Sequence, residues 1–314
     1  MELSDRIGRR MKLHDLHVLM SVVQAGSMGK AAALLNTTQP AISRSIAELE
    51  HAVGVRLLDR NRQGVAPTEY GRALLDCGAA VFDELRQGVK KIEFLVDPTV
   101  GDIRVGANEV IIGGLLPTVF SRLRRQYAGV TMHVMPLATV SQQYRELRER
   151  TIDLFLGRIP DSIDDDVAAE ILFEDRIFVV AGSQSRWARR RRIKLAELAD
   201  EPWSMPMPDT LVGSLVADAF RAGGLKYPPK GVAFGTIHLH SALLASGDFV
   251  AIFPGQMLQF GTHLPPLKVL PVELPIPPSP VGIMTLKNRT LRPVAQLFIE
   301  VVREVAKPLA RRRW

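Results

Sequence analysis

Between Thr37 and Gly54 the chain places apolar residues at Ile42, Ile46, Leu49 and Val53. That spacing of three or four residues puts all of them on one face of a helix. Thr38 is a suitable N-cap for it. Pro40 falls in the first turn, where a backbone N–H has no intrahelical partner and proline costs nothing. Ala41, Arg44, Ser45 and Glu48 fall off the apolar stripe, and Gln39 and Ser43 stand at the leading edge. The helix is therefore expected to bury one side and to present a polar N-terminal end.

The flanking sequence narrows what that end is for. Leu13, Leu16, Leu19, Met20 and Val23 repeat at helical spacing, and Gly26 stops them. Ser27 can cap a second short helix through Ala31, Ala32, Leu34 and Leu35, broken by Asn36-Thr37. Two short helices joined by a tight turn, the second leading with polar side chains, make a helix-turn-helix. After Gly54, the run VRLLDRNRQGVAPT reads as two extended pieces around Arg60-Asn61-Arg62-Gln63-Gly64, a hairpin wing with two arginines. Gln pairs bidentately with adenine, Arg with guanine, and Ser with either. Helix N-termini and their capping hydroxyls favour phosphate. The plainer alternative is that Gln39, Ser43 and Arg44 form an ordinary solvated face.

The segment from Gly26 to Gly71 resembles the DNA-binding domain of LysR-type transcriptional regulators. Matching elements are Gly26-Ser27, Ala31-Ala32, Leu35, Thr38-Gln39-Pro40-Ala41-Ile42-Ser43, Ile46, Leu49-Glu50, Gly54, Leu57, Arg60 and Thr68-Glu69-x-Gly71. Leu58 stands where that family usually has Phe, and Ala66-Pro67 replaces its usual polar-Leu pair. The resemblance implies double-stranded promoter or operator DNA as partner. Expected base contacts are Gln39, Ser43 and Arg44, with Pro40 beside them among the DNA-binding residues. Arg60 and Arg62 are expected on the backbone or minor groove, and Ser27 and Thr38 on phosphate.

From Thr68 to Val96, Leu74, Val81, Leu85, Val89, Ile92 and Val96 keep helical spacing. A long helix with a single apolar edge needs something to cover that edge. The resemblance implies a second copy, giving a homodimer or a homotetramer built from two dimers. Packing on the chain's own C-terminal part is the alternative. Cys77 lies in this helix and reads as a small packing residue.

Beyond Asp97-Pro98-Thr99, strand-like and helix-like segments alternate, which argues for parallel sheets. Strands are expected at 101–107, 130–136, 151–158, 167–172, 176–181, 249–254 and 280–286. Helices are expected at 114–127, 141–150, 209–222, 238–245 and 292–306. This order resembles the effector-binding domain of the same family, a two-lobed fold of the type 2 periplasmic-binding-protein kind. Crossings between lobes are expected near 172–176 and 267–274. The expected architecture is thus α/β, with an all-α winged helix-turn-helix domain at the N-terminus (11–67). A dimerisation helix (68–97) and an effector-binding domain (98–310) follow. Lobe I would comprise 98–172 and 273–310, and lobe II 173–272. Ligands of two-lobed α/β domains sit where strand ends and helix starts face the cleft. That places the effector site at Asn108, Thr139, Thr210, Thr236 and His238. A small polar effector, acidic rather than basic, is expected from the helix N-termini, although Glu109 opposes an anion.

Other chemistry finds little support. No G-x-G-x-x-G, Walker-type loop or H-E-x-x-H is present. His238-x-His240 lacks further ligands at metal spacing, and Asp164-Asp165-Asp166 lacks the oxygens and glycine of a calcium loop. No cofactor, metal or catalytic residue is expected. The competing class is an enzyme or solute-binding protein built on two lobes with an accessory helical domain. No apolar run approaches the roughly 18 residues of a membrane span. The start shows no secretory pattern, and the single cysteine fits a reducing compartment. A cytoplasmic location is expected, with residues 1–10 a polar extension and Met11 a second candidate start. The +7 net charge permits an anionic partner, but much of it comes from Arg189–Arg192 and Arg311–Arg313, expected to be solvated surface or tail.

Overall fold

The computed structural model describes residues 11–61, 64–97, 100–227, 231–234, 237–260 and 264–311, with backbone only at 60–61, 232–234 and 237. Arg62 and Thr236 lie outside the described residues, as do residues 1–10 and 312–314. The chain divides into two compact units, Met1–Gly88 and Val89–Trp314.

The first unit holds α1 (Leu13–Ala25), α2 (Met28–Leu34), α3 (Gln39–Val53), β1 (Leu58–Asn61) and β2 (Gly64–Pro67). The first part of α4 (Glu69–Val96) completes it. Gly26 ends α1 at φ 71° and Gly54 ends α3 at φ 83°, both left-handed positions that glycine occupies without penalty. Leu19, Val22, Ile42, Ile46, Leu49 and Leu57 are fully buried between the helices. Each such side chain contributes about 1.5–3 kcal/mol relative to exposure.

The buried face of α3 is broader than the apolar stripe suggests. Ser45, expected off the stripe, is buried and donates to Asp15 Oδ1 at 2.5 Å, while Val53 is only half-buried. A hydroxyl and a carboxylate buried together satisfy each other, so a hydrophobic-periodicity reading misses both. The wing is fixed at its base. Glu50 Oε1 accepts from the Leu57 and Leu58 N–H groups at 2.8 and 3.2 Å. Gly71 must be glycine, because a Cβ there would lie 2.1 Å from the Leu57 carbonyl oxygen. Cys77 is exposed rather than packed, so it faces away from the buried side of α4.

The second unit opens with β3 (Val100–Ala107), α5 (Glu109–Gly113), α6 (Leu115–Gln126), β4 (Gly129–Pro136), α7 (Val140–Arg148) and β5 (Leu154–Arg158). Then come β6 (Val167–Asp175), β7 (Ile177–Gly182), β8 (Trp203–Pro206), α8 (Leu211–Ala222), β9 (Gly231–Phe234) and α9 (Ile237–Ser246). It closes with β10 (Val250–Pro254), α10 (Gly255–Phe260), β11 (Leu267–Val269), β12 (Ser279–Leu286) and α11 (Pro293–Ala310). These build two five-stranded sheets, ordered β4-β3-β5-β12-β6 and β11-β7-β10-β8-β9. In the first, β3, β4 and β5 run parallel and β12 runs antiparallel to its neighbours. The chain leaves that sheet after Asp175, enters the other at Ile177, and returns between Val269 and Ser279. That is two lobes joined by two crossings. At the first crossing Asp175 accepts the Gln256 N–H at 3.3 Å and faces the buried Arg158 guanidinium at 3.8 Å.

Lobe I is closed by a buried charge cluster. Asp153, 2% exposed, precedes β5. It receives the Arg104 N–H at 2.9 Å, Arg289 Nη2 at 3.1 Å and Arg292 Nη2 at 2.5 Å. Arg292 also donates to Asp102 at 2.5 Å, and Asp102 is held in turn by Lys90 at 3.3 Å. Burial alone would raise the Asp102 pKa, but the charges and hydrogen bonds of Arg292 and Lys90 bring it below the usual carboxylate value. Its ionised form therefore favours the fold above the ordinary carboxylate pKa, and that contribution is lost as pH falls through the lowered value. Removing one partner of a buried pair leaves an uncompensated charge and typically costs about 3–5 kcal/mol. Asp153→Ala is expected to lower unfolding stability by that order, measured by urea denaturation of purified protein.

Candidate functional site

The leading end of α3 is built to face outward. Thr38 Oγ1 accepts from the Ala41 N–H at 3.4 Å and Ser27 Oγ from the Lys30 N–H at 3.2 Å, so both hydroxyls cap helix starts. A capping hydroxyl keeps its own proton to donate. Gln39, Pro40 and Arg44 are exposed and Ser43 half-buried, all off the buried face formed by Ile42, Ile46 and Leu49, with Pro40 and Arg44 opposite it. The wing pairs Arg60 with Val65 and Asn61 with Gly64 in antiparallel register. The Val65 N–H bonds the Gly26 carbonyl oxygen at 3.1 Å, which ties β2 to the turn before α2. One surface thus combines hydroxyl-capped helix starts with Gln, Ser and Arg.

The second unit has a cavity of about 120 Å³ between its lobes. Lobe I contributes Asn108, Glu109, Val110, Ala138 and Gln143. Lobe II contributes Pro206, Met207, Thr210, His240 and Phe253, with the start of α8. Asn108 Oδ1 is occupied by the Ile111 N–H at 3.0 Å. Thr210 Oγ1 accepts from the Gly213 N–H at 3.1 Å and donates to the Met207 carbonyl at 2.7 Å. His240 stacks on Phe253 with ring centroids 4.5 Å apart, and its Nδ1 lies 2.8 Å from Ser204 Oγ. Burial pulls the His240 pKa down to about 3, outweighing a hydrogen bond to the Ile252 backbone, so the ring is neutral.

Of the residues expected at an effector site, Asn108 and Thr210 meet in this cavity. Thr139 is instead spent in a capping box with Gln142 at the start of α7, and His238 is exposed on α9; neither lines the cavity. Gln143 and His240 line it without having been expected there. Gln143 and His240 occupy buried helix positions whose sequence signal is that of ordinary polar residues. Among the described residues, no group of three or more His, Cys, Asp or Glu could hold a metal ion, and no helix is long and apolar enough to cross a membrane.

Comparison with known proteins matches residues 13–72 to the bacterial regulatory helix-turn-helix protein, lysR family, and residues 97–307 to the LysR substrate binding domain. The chain belongs to the LysR family. It is similar to the HTH-type transcriptional regulator GbpR of Azospirillum brasilense, 26% identical over 96% of this chain and 89% of that protein. Its fold matches a full-length OxyR variant from Pseudomonas aeruginosa, with TM-score 0.67, 20% identity and coverage of 97% and 99%. It also matches full-length CbnR complexed with its target DNA, with TM-score 0.53, 20% identity and coverage of 94% and 100%. This LysR-family chain is a DNA-binding transcriptional regulator with an effector-binding domain. Its relatives are regulators rather than enzymes.

The neutral His240 gives this regulator a pH signature. Its folded pKa lies below the ordinary histidine value, so protons favour the unfolded state between the two. Stability is expected to fall as pH drops from about 6.5 toward about 3. His240→Gln should flatten part of that slope in denaturation curves taken across the interval.

Proposed function

We propose that this regulator reads its operator through the leading turns of α3 and responds to a small molecule held between its two lobes. The observation that carries the reading is the outward Gln39-Pro40-Ser43-Arg44 end, with Gln39, Pro40 and Arg44 exposed, on a helix that buries Ile42, Ile46 and Leu49. Gln39, Ser43 and Arg44 contact bases, with Pro40 shaping the leading turn. Ser27 and Thr38 donate their free hydroxyl protons to phosphates. Arg60 and Arg62 reach the backbone or minor groove from the wing. In this reading 11–67 is the DNA-binding domain, 68–97 the dimerisation helix and 98–310 the effector domain. Lobe I spans 98–172 with 273–310, and lobe II spans 173–272. The effector cavity is lined by Asn108, Gln143, Thr210 and His240. The protein acts in the cytoplasm and carries out no catalysis.

Assembly follows from α4. Leu85, Val89, Ile92, Leu95 and Val96 are 50–82% exposed along one edge, a larger apolar stripe than a helix leaves in water without a partner. A second copy covers it, giving a homodimer or a pair of dimers, and two-fold symmetry then calls for a roughly palindromic operator.

Two measurements test these readings. Arg44→Ala and Gln39→Ala should each lower specific affinity for the promoter beside this gene by about 1–3 kcal/mol in gel-shift titrations, with melting unchanged. Unchanged affinity in both proteins contradicts the assignment of α3. Val89→Glu should shift sedimentation toward the 34.7 kDa monomer, whereas Arg86→Glu on the same helix should leave the assembly intact.

A further inference from the structure

We infer that the effector of this regulator carries a protonated amine, an inference that rests on the interlobe cavity being the effector site. Gln143 is 1% exposed, lines the cavity, and its Oε1 has no hydrogen-bond partner. Buried acceptors left unsatisfied are costly, so this oxygen calls for a donor from whatever fills the cavity. The neighbouring polar groups do not supply one. Thr210 spends its hydroxyl on the Gly213 N–H and the Met207 carbonyl, His240 is held by Ser204, and the Asn108 amide, whose oxygen caps α5, donates nothing to Gln143 Oε1. Glu109 is the only charged side chain among the described lining residues, and no Lys or Arg faces it there.

The charge balance therefore favours a cation, which reverses the acidic ligand expected from helix N-termini. The first turn of α8 still offers N–H donors at Leu211 and Val212. Those donors suit a neutral acceptor at the ligand's far end. An anion there would face Glu109 across a small cavity with no cationic side chain to offset it. The stacked His240 and Phe253 rings and Met207 supply an apolar wall. At about 120 Å³ the space is below that of a cavity able to hold benzene, so the part of the ligand it encloses has roughly six non-hydrogen atoms or fewer. Its ammonium bonds Gln143 Oε1 and pairs with Glu109, and its apolar body lies against the rings.

Three probes of similar size and shape test this on the full-length protein: n-butylamine, butyramide and butyrate at millimolar concentration, followed by thermal shift and calorimetry. Butylamine is expected to raise the melting temperature, butyrate to leave it unchanged, and butyramide to fall between them. Glu109→Gln and Gln143→Leu should each weaken butylamine by about tenfold or more while melting normally without ligand. Met207→Trp, which fills the cavity, should abolish the response. Butyrate binding that Met207→Trp removes would overturn the amine inference and leave the cavity reading standing. A butylamine response that survives Met207→Trp would overturn both. No response to butylamine in the wild-type protein would overturn the amine inference.

Discussion

The carboxylate of Asp153 holds together parts of lobe I that are far apart in the chain. It accepts from the Arg104 backbone in β3 and from Arg289 and Arg292 ahead of α11. The C-terminal helix thereby closes a sheet in which every strand but β12 was laid down more than a hundred residues earlier. Through Asp102, the same network reaches Lys90 on the last turns of α4. A buried cluster of this kind is stable only when every charge is matched. The position of α11, and of β12 leading into it, follows from that requirement as much as from apolar packing.

The N-terminal unit solves a different problem with similar means. Its helices are short, and short helices are marginal without tertiary packing. Packing fixes one face of α3 through Ile42, Ile46 and Leu49, and the Ser45–Asp15 bond fixes its rotation against α1. What remains free is the face carrying Gln39 and Arg44. Glu50 and Gly71 hold the wing base beside it. Recognition chemistry is displayed on a scaffold that leaves its side chains little choice of direction, so specificity falls on a few residues.

Much of this could be read from the sequence because it is local. Helix spacing, Gly26 and Gly54 as stops, Ser27 and Thr38 as caps, and the Thr68–Val96 helix each depend on residues within one or two turns. Ser45 was misread because its burial is compensated by a partner in another helix. The short strands β8 and β9 and the helix α10 escaped for a related reason. Four to six residues, each run bounded by Pro or Gly, carry no measurable period, and only the pairing of β8 with β10 and of β9 with β8, or contact across the lobes, gives them their form. The ligand cavity was half visible. Asn108 and Thr210 follow from the rule that helix starts face the cleft. Gln143 and His240 do not, because their place is set by how two lobes meet.

The central claim is that the exposed end of α3 reads bases rather than only touching phosphates. Selection of preferred sites from a randomised DNA pool, with the wild-type protein and with Arg44→Ala, separates the two. A base contact predicts that the variant loses preference at one position of each half-site while keeping the rest. An unchanged preferred sequence with uniformly weaker binding would mean that Arg44 contacts only the backbone, and would contradict the account.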